Sequence, residues 1–277
     1  MKIDSGFYFI ISIVFSLLKT GIVYGQDINA KLGFADSIQS SILKENRKII
    51  IRLPDDYDTS KKTYPVLYLL DGNSNSLLET VSTMNKLDLD ENIPKMIVIA
   101  IGNTDRDRDM MPLSTKHYPV RVAGAEQFLS FIGDELIPQI EKKYRSNQQR
   151  ILCGKSLSGL FTLYALLTKP QLFGSYIGRS AGWLGDMNDY FTRLTDKAFQ
   201  QPDLYKGKKI FMSNSLIDSY DKDHIVHKQM LEFSGKIKAK LGDRVHYKYV
   251  TYNNYPHVPF PSLYDGLKYI FETDIKK

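Results

Sequence analysis

Along this chain short apolar runs alternate with longer amphipathic ones. Runs rich in Val, Ile, Leu and Tyr predict strands over residues 47–53, 64–70, 96–101, 150–153, 175–177, 209–213 and 246–252. Brief apolar stretches bounded by turn-forming residues suit strands better than helices. Between them apolar positions recur at helical spacing, most clearly over 123–144, 157–167, 224–241 and 261–271. After a first hairpin, the alternation of strand and helix implies an α/β architecture with a mostly parallel sheet covered on both faces. Such sheets bind ligands at the carboxyl ends of their strands. Functional residues are therefore expected just after strand endings.

Composition changes this picture only at the amino terminus. The 277 residues, 43% apolar and 25% charged, suit a single globular domain with a sizeable core. No repeat or low-complexity tract interrupts them. Residues 1–25 differ: Lys2 opens a polar start, an apolar run extends from Phe7 to Leu18, and the stretch from Gly21 to Gln26 has small or polar residues at Gly21, Gly25 and Gln26. This pattern predicts a secretory signal peptide cut near Gly25, leaving one domain over 26–277 and an exported, periplasmic or secreted protein. The apolar run is about 12 residues, shorter than the roughly 20 that a spanning helix needs. Cleavage would remove Lys2, Asp4 and Lys19 and lower the formal charge from +6 to +5. The remaining charges are scattered rather than clustered, which argues against nucleic acid as a partner. Cys153 is the only cysteine, so no internal disulfide can form.

The segment Arg150 to Leu167, RILCGKSLSGLFTLYALL, reads as strand, tight turn and helix with Ser156 at the turn. A nucleophile elbow has this context, because a strained turn lifts the serine hydroxyl above the sheet while small neighbours let strand and helix pack closely. Gly154 and Gly159 are the small residues here, and Ser158 stands where the pattern G-x-S-x-G has its second glycine. The bland alternative is a serine that merely caps the helix.

A serine nucleophile needs a base, and in this fold the order is Ser, acid, His. Of the five histidines, His117 precedes the serine, His224 and His227 fall on a predicted helix, and His246 starts a predicted strand. His257 remains, in a loop after the last strand. The acid should follow the strand KKIFMS, where Asp218, Asp221 and Asp223 all lie. Asp218 is nearest the strand end and is the expected partner; Asp221 or Asp223 could instead cap the next helix. His224 and His227 lie beside aspartates but lack a third ligand group, so neither a metal nor another cofactor is expected.

Four stretches carry a family resemblance: YPVLYLLDG from Tyr64, MIVIAIGNTDRDRDMMP from Met96, GKSLSGLFTLYALLTKPQLF from Gly154 and HVPFPSLYDGLKYIF from His257. Over about Ile38 to Phe271 the chain resembles the Putative esterase family of α/β-hydrolases, which includes esterase D and enterochelin esterase-like enzymes. The resemblance implies an α/β-hydrolase fold and an acyl-ester hydrolase with Ser156 as nucleophile and His257 as base. Relatives usually have histidine at Lys155, glycine at Ser158, a glutamate soon after the strand matching KKIFMS, and two more residues between His257 and Val258.

The fold implies an oxyanion hole from the Leu157 N–H and a second N–H in an earlier loop, which the resemblance puts at Asp71-Gly72-Asn73. Asn73 is assigned that second donor, with Gly72 equally near. Trp183, the only tryptophan, is the candidate for stacking on a substrate or else belongs to the core. The resemblance implies small-molecule or glycan-linked esters: those of siderophores or of decorated polysaccharides. An acyltransferase and a non-catalytic binding protein of the same fold are the alternatives.

Overall fold

The structure is a computed structural model that describes residues 32–90, 92–116, 119–182 and 187–275. The expected signal peptide, His117 and Trp183 lie outside the described residues.

The strands are β1 (Phe34–Ser40), β2 (Glu45–Arg52), β3 (Tyr64–Leu69), β4 (Ile97–Ile101), β5 (Ser146–Lys155), β6 (Ser175–Arg179), β7 (Lys208–Ser215) and β8 (Val245–Tyr252). They form one eight-stranded sheet in the order β1-β2-β4-β3-β5-β6-β7-β8. β1 pairs antiparallel with β2, and β2 antiparallel with β4, while every later pairing is parallel. Every residue of β3, β4 and β6 is buried, as central parallel strands with helices on both faces require. β1 was not among the expected strands. Its sequence FADSIQS buries only Ile38 and Ser40, so it offers little hydropathic signal and exists by pairing with β2.

The helices are α1 (Ser74–Leu89), α2 (Arg106–Met110), α3 (Ala125–Ser130), α4 (Ile137–Lys143), α5 (Leu157–Thr168), α6 (Asn188–Ala198), α7 (Ile225–Lys240) and α8 (Pro261–Ile275). The single helix expected over 123–144 is α3 and α4 joined by a π-helical segment, Phe131–Leu136. Pro138 sits in the first turn of α4, and a proline lacks the N–H that would continue an α-helical ladder. Helix α1 escaped the hydropathy reading because Ser76 and Thr80 are buried on its inner face beside Leu77 and Val81. The Thr80 hydroxyl donates to the Ser76 carbonyl at 2.8 Å, which satisfies it without an apolar side chain.

Two apolar clusters sandwich the sheet. One contains Phe128, Phe131, Phe161 and Tyr176, the other Leu69, Val98, Leu263 and Leu267. Helix α5 crosses the first, and Leu163 and Leu166 on it are fully buried, each contributing about 1.5–3 kcal/mol relative to exposure. That packing fixes the turn between β5 and α5.

Candidate active site

Ser156 occupies the turn with φ 56° and ψ −124°, and its side chain makes no capping hydrogen bond to α5. Capping therefore does not account for it. The turn is this tight because of two glycines. A Cβ on Gly154 would stand 2.2 Å from the Ser158 carbonyl oxygen, and one on Gly159 would stand 2.8 Å from that of Arg179. The Ser156 N–H donates to the Arg179 carbonyl at 2.8 Å, which ties the elbow to β6.

Ser158, where a glycine was expected, is fully buried and used. Its hydroxyl accepts the Lys155 N–H at 2.8 Å and donates to Asp71 Oδ2 at 2.8 Å. Asp71, past the end of β3, also accepts Arg106 Nε at 2.7 Å, Arg106 Nη2 at 2.8 Å and Asn103 Nδ2 at 2.7 Å. Burial pushes its carboxyl up, but the Arg106, Asn103 and Ser158 donors outweigh that and hold it below the usual carboxylate range. Lys155, where the resemblance implied histidine, turns to Glu79 at 3.5 Å.

Two loops bring the other expected residues to Ser156. After β8, the His257 ring lies with Nε2 2.8 Å from Ser156 Oγ and Nδ1 2.6 Å from Asp218 Oδ2. Asp218 is 7% exposed, and its Oδ1 accepts the Tyr220 N–H at 2.9 Å. The exposed Tyr220 ring stands edge-on to the imidazole with centroids 4.9 Å apart. The Asp and His loops are joined to each other: Leu216 N–H donates to the Tyr252 carbonyl at 2.9 Å, and the Ser215 hydroxyl donates to that of Tyr255.

The alternative acids have other surroundings. Asp221 accepts the Val226 N–H at 2.9 Å and the His227 N–H at 3.1 Å, so it caps the start of α7. Asp223 is exposed. His224 precedes α7 in a left-handed conformation with φ 54°, and His227 Nδ1 lies 3.0 Å from the Tyr249 hydroxyl. His246 is an exposed residue of β8.

The two expected oxyanion donors differ. The Leu157 N–H is the first of α5, has no partner among the described residues, and Leu157 lines the cleft beside Ser156. An N-terminal helix N–H carries the partial positive charge such a donor needs. The Asn73 N–H instead donates to the Asp71 carbonyl at 2.8 Å, while its side chain accepts the Ser76 N–H and caps α1. The neighbouring Gly72 N–H donates to the Ile101 carbonyl at 2.7 Å. A three-residue turn centred on Gly72 thus holds the Asn73 N–H against the Asp71 carbonyl of its own loop.

The cleft has a volume of about 330 Å³ and is walled by Leu157, Leu160, Met111 and Val226, with Arg106 and Tyr220 among its polar and aromatic residues. Arg106 was not singled out from the sequence, although its stretch RDRDM was. The residues it shares the site with, Asp71 above all, are brought to it only by the fold.

Over residues 40–245 the chain matches the family described as Putative esterase. The chain belongs to this family. Among its relatives, the ferri-bacillibactin esterase BesA of Bacillus subtilis is 30% identical in an alignment of 211 positions that covers 62% of this chain and 73% of that protein. Among solved structures, an IroE-like serine hydrolase from Shewanella oneidensis aligns with TM-score 0.76 and 30% identity over 87% of this chain and 80% of its own. The siderophore hydrolase EstA of Aspergillus nidulans aligns with TM-score 0.77 and 22% identity over 93% of this chain and 100% of its own, a likeness of fold. As a member of the Putative esterase family with the α/β-hydrolase fold, the protein is a carboxylic ester hydrolase.

Proposed function

We propose that the protein is an exported serine esterase that hydrolyses the ester bonds of a siderophore through an acyl-serine intermediate. The observation that carries this reading is the unbroken chain from Asp218 through His257 to Ser156, with contacts of 2.6 and 2.8 Å. A serine hydroxyl is a weak nucleophile at neutral pH until a base accepts its proton. His257 Nε2 takes that proton as Ser156 Oγ bonds to the ester carbonyl carbon. Asp218 holds Nδ1–H, and so the tautomer, and its charge stabilises the imidazolium that forms. When the tetrahedral intermediate collapses, His257 returns the proton to the departing alcohol. Water, deprotonated by the same imidazole, then releases the acid and regenerates Ser156.

The developing oxyanion is met by the Leu157 N–H. A second donor from the Asp71-Gly72-Asn73 turn requires that turn to release the Asn73 N–H when substrate binds. The choice of a siderophore is supported by the activities named for BesA and for its fungal counterparts. The net positive chain suits an anionic ligand. Export rests on the apolar run from Phe7 to Leu18 and the small residues after it.

A fluorophosphonate probe should label the wild type at Ser156, mapped by peptide mass spectrometry, and leave Ser156→Ala unlabelled. Absence of labelling at Ser156 refutes the mechanism. A siderophore triester should be cleaved faster than a feruloyl ester in water, and the opposite order refutes the substrate assignment. Mass spectrometry of the exported protein should find Gln26 at the mature amino terminus; an intact Met1 there refutes processing.

A further inference from the structure

Ser156 and Val258, the residue after His257, sit on different elements, yet they are tied to adjacent residues, Arg179 and Ser180, at the end of β6. The Arg179 carbonyl accepts the Ser156 N–H at 2.8 Å. The Ser180 hydroxyl accepts the N–H of Val258, the residue after His257, at 2.9 Å. The Arg179 side chain reaches the same loop from below: its Nε donates to the Ser262 hydroxyl at 2.9 Å, and that hydroxyl donates to the Pro259 carbonyl at 2.5 Å. The Ser262 N–H reaches the Pro259 carbonyl as well, at 3.0 Å. Arg179 is in turn paired with Glu79 of α1, and the Arg179 and Ser262 side chains are almost wholly buried.

The loop needs such restraint. Only Val258, Pro259 and Phe260 separate His257 from the start of α8, so a displacement at either of the first two is carried directly to the imidazole. Val258 has φ 56°, a conformation that a β-branched residue avoids unless its surroundings impose it. Ser180 is itself left-handed, with φ 45°, which turns the chain back at the end of β6.

We infer that Arg179 and Ser180 are positioning residues that set the separation between Ser156 and His257, Ser180 through the Val258 N–H and Arg179 through Ser262. This inference rests on the proposed role of Ser156 and His257. It adds that the histidine loop works only because Ser180 holds Val258 directly and Arg179 holds Pro259 through Ser262.

The test uses Ser180→Ala, Ser180→Gly and Ser262→Ala in the full chain. Turnover of p-nitrophenyl butyrate and the rate of fluorophosphonate labelling should each fall by about 10- to 100-fold, since misplacement by about 1 Å costs on that order. For Ser262→Ala, KM should stay within about twofold of the wild type, because Ser262 does not line the cleft. Glycine separates position from backbone shape. It accepts a left-handed conformation freely, so if Ser180 supplied only that turn, Ser180→Gly would keep wild-type turnover. It should instead be as slow as Ser180→Ala. Near-normal turnover in Ser180→Gly or in folded Ser262→Ala overturns the corresponding arm of the inference. A wild type that takes no fluorophosphonate refutes the nucleophile instead. In that case the crystal structures of wild type and Ser180→Gly still decide this inference: an unchanged separation between Ser156 Oγ and His257 Nε2 overturns it.

Discussion

Replacing Asp218 with asparagine keeps the shape of the site and removes one charge. The direction of the new amide is set by the structure. Oδ1 of Asp218 accepts the Tyr220 N–H at 2.9 Å while Oδ2 meets His257 Nδ1 at 2.6 Å. Asparagine has a single acceptor oxygen, and the Tyr220 N–H claims it, so the amide nitrogen is turned toward His257. Nδ1 must then accept instead of donate. The ring proton moves to Nε2, which faces the Ser156 hydroxyl at 2.8 Å and can no longer take its proton. The lost carboxylate adds to this. A unit charge about 4 Å from an imidazolium is worth about 4 kcal/mol at an effective dielectric constant near 20, or nearly a thousand-fold in rate at 1.36 kcal/mol per tenfold. With the wrong tautomer included, kcat for a p-nitrophenyl ester should fall by roughly a thousand- to ten-thousand-fold, with KM little changed. Asp221→Asn is the control. It weakens a cap on α7 at a cost of about 0.5–2 kcal/mol, lowering the thermal midpoint by a few degrees and leaving turnover within about threefold. A large loss at Asp221 with little change at Asp218 would refute the reasoning, as would folded Asp218→Asn retaining more than a tenth of wild-type turnover.

Two further outcomes follow from the elbow and its surroundings. Asp71 has its carboxyl held below the usual range, so its stabilising contribution is complete above the unfolded value near pH 4 and is lost as pH falls through the lower folded value. Thermal midpoints from pH 7 to pH 2 should show Asp71→Asn less stable than wild type at neutral pH with the gap closing in acid; a gap that stays constant removes Asp71 as the source. Gly154→Ala would place a Cβ 2.2 Å from the Ser158 carbonyl oxygen, so it should abolish fluorophosphonate labelling together with the cooperative thermal transition. Soluble Gly154→Ala protein with normal labelling would show that the elbow can relax.

The sequence was most readable where local pattern and tertiary role coincide. β3 and β4 are apolar throughout because helices cover both faces, and the helix after Ser156 is apolar nearly all round because it lies inside the first core cluster. β1, α1 and α6 were not foreseen, since each has mixed polarity and is held by neighbours: strand pairing for β1, buried Ser76 and Thr80 for α1, and only Phe191 and Thr195 buried in α6. The site divides in the same way. Ser156 and His257 follow from an elbow and a loop position that leave local traces. Choosing among Asp218, Asp221 and Asp223 needed the turn after β7, which the sequence does not fix. Asn73 illustrates the converse: it lies in the expected loop, but its N–H is taken by the Asp71 carbonyl through a local turn that the sequence pattern does not reveal.

Lys155, Ser158 and the histidine loop, where the resemblance led to other expectations, are connected to one another through contacts around the elbow. Ser158 adds a hydroxyl where a glycine would leave none, and that hydroxyl supplies a donor to the Asp71 carboxylate that orients Arg106 on the cleft wall. Lys155 pairs with Glu79, the same carboxylate that holds Arg179. Arg179 then reaches the histidine loop through Ser262. A change at the elbow is thus transmitted both to the substrate wall and to the base through buried hydrogen bonds. Restoring glycine at Ser158 alone would leave the Lys155 N–H without its partner and Asp71 with one donor fewer. Buried polar groups that lose a partner cost about 1–3 kcal/mol each. These residues therefore act as a set, and a change at one position does not fit the contacts made by the others.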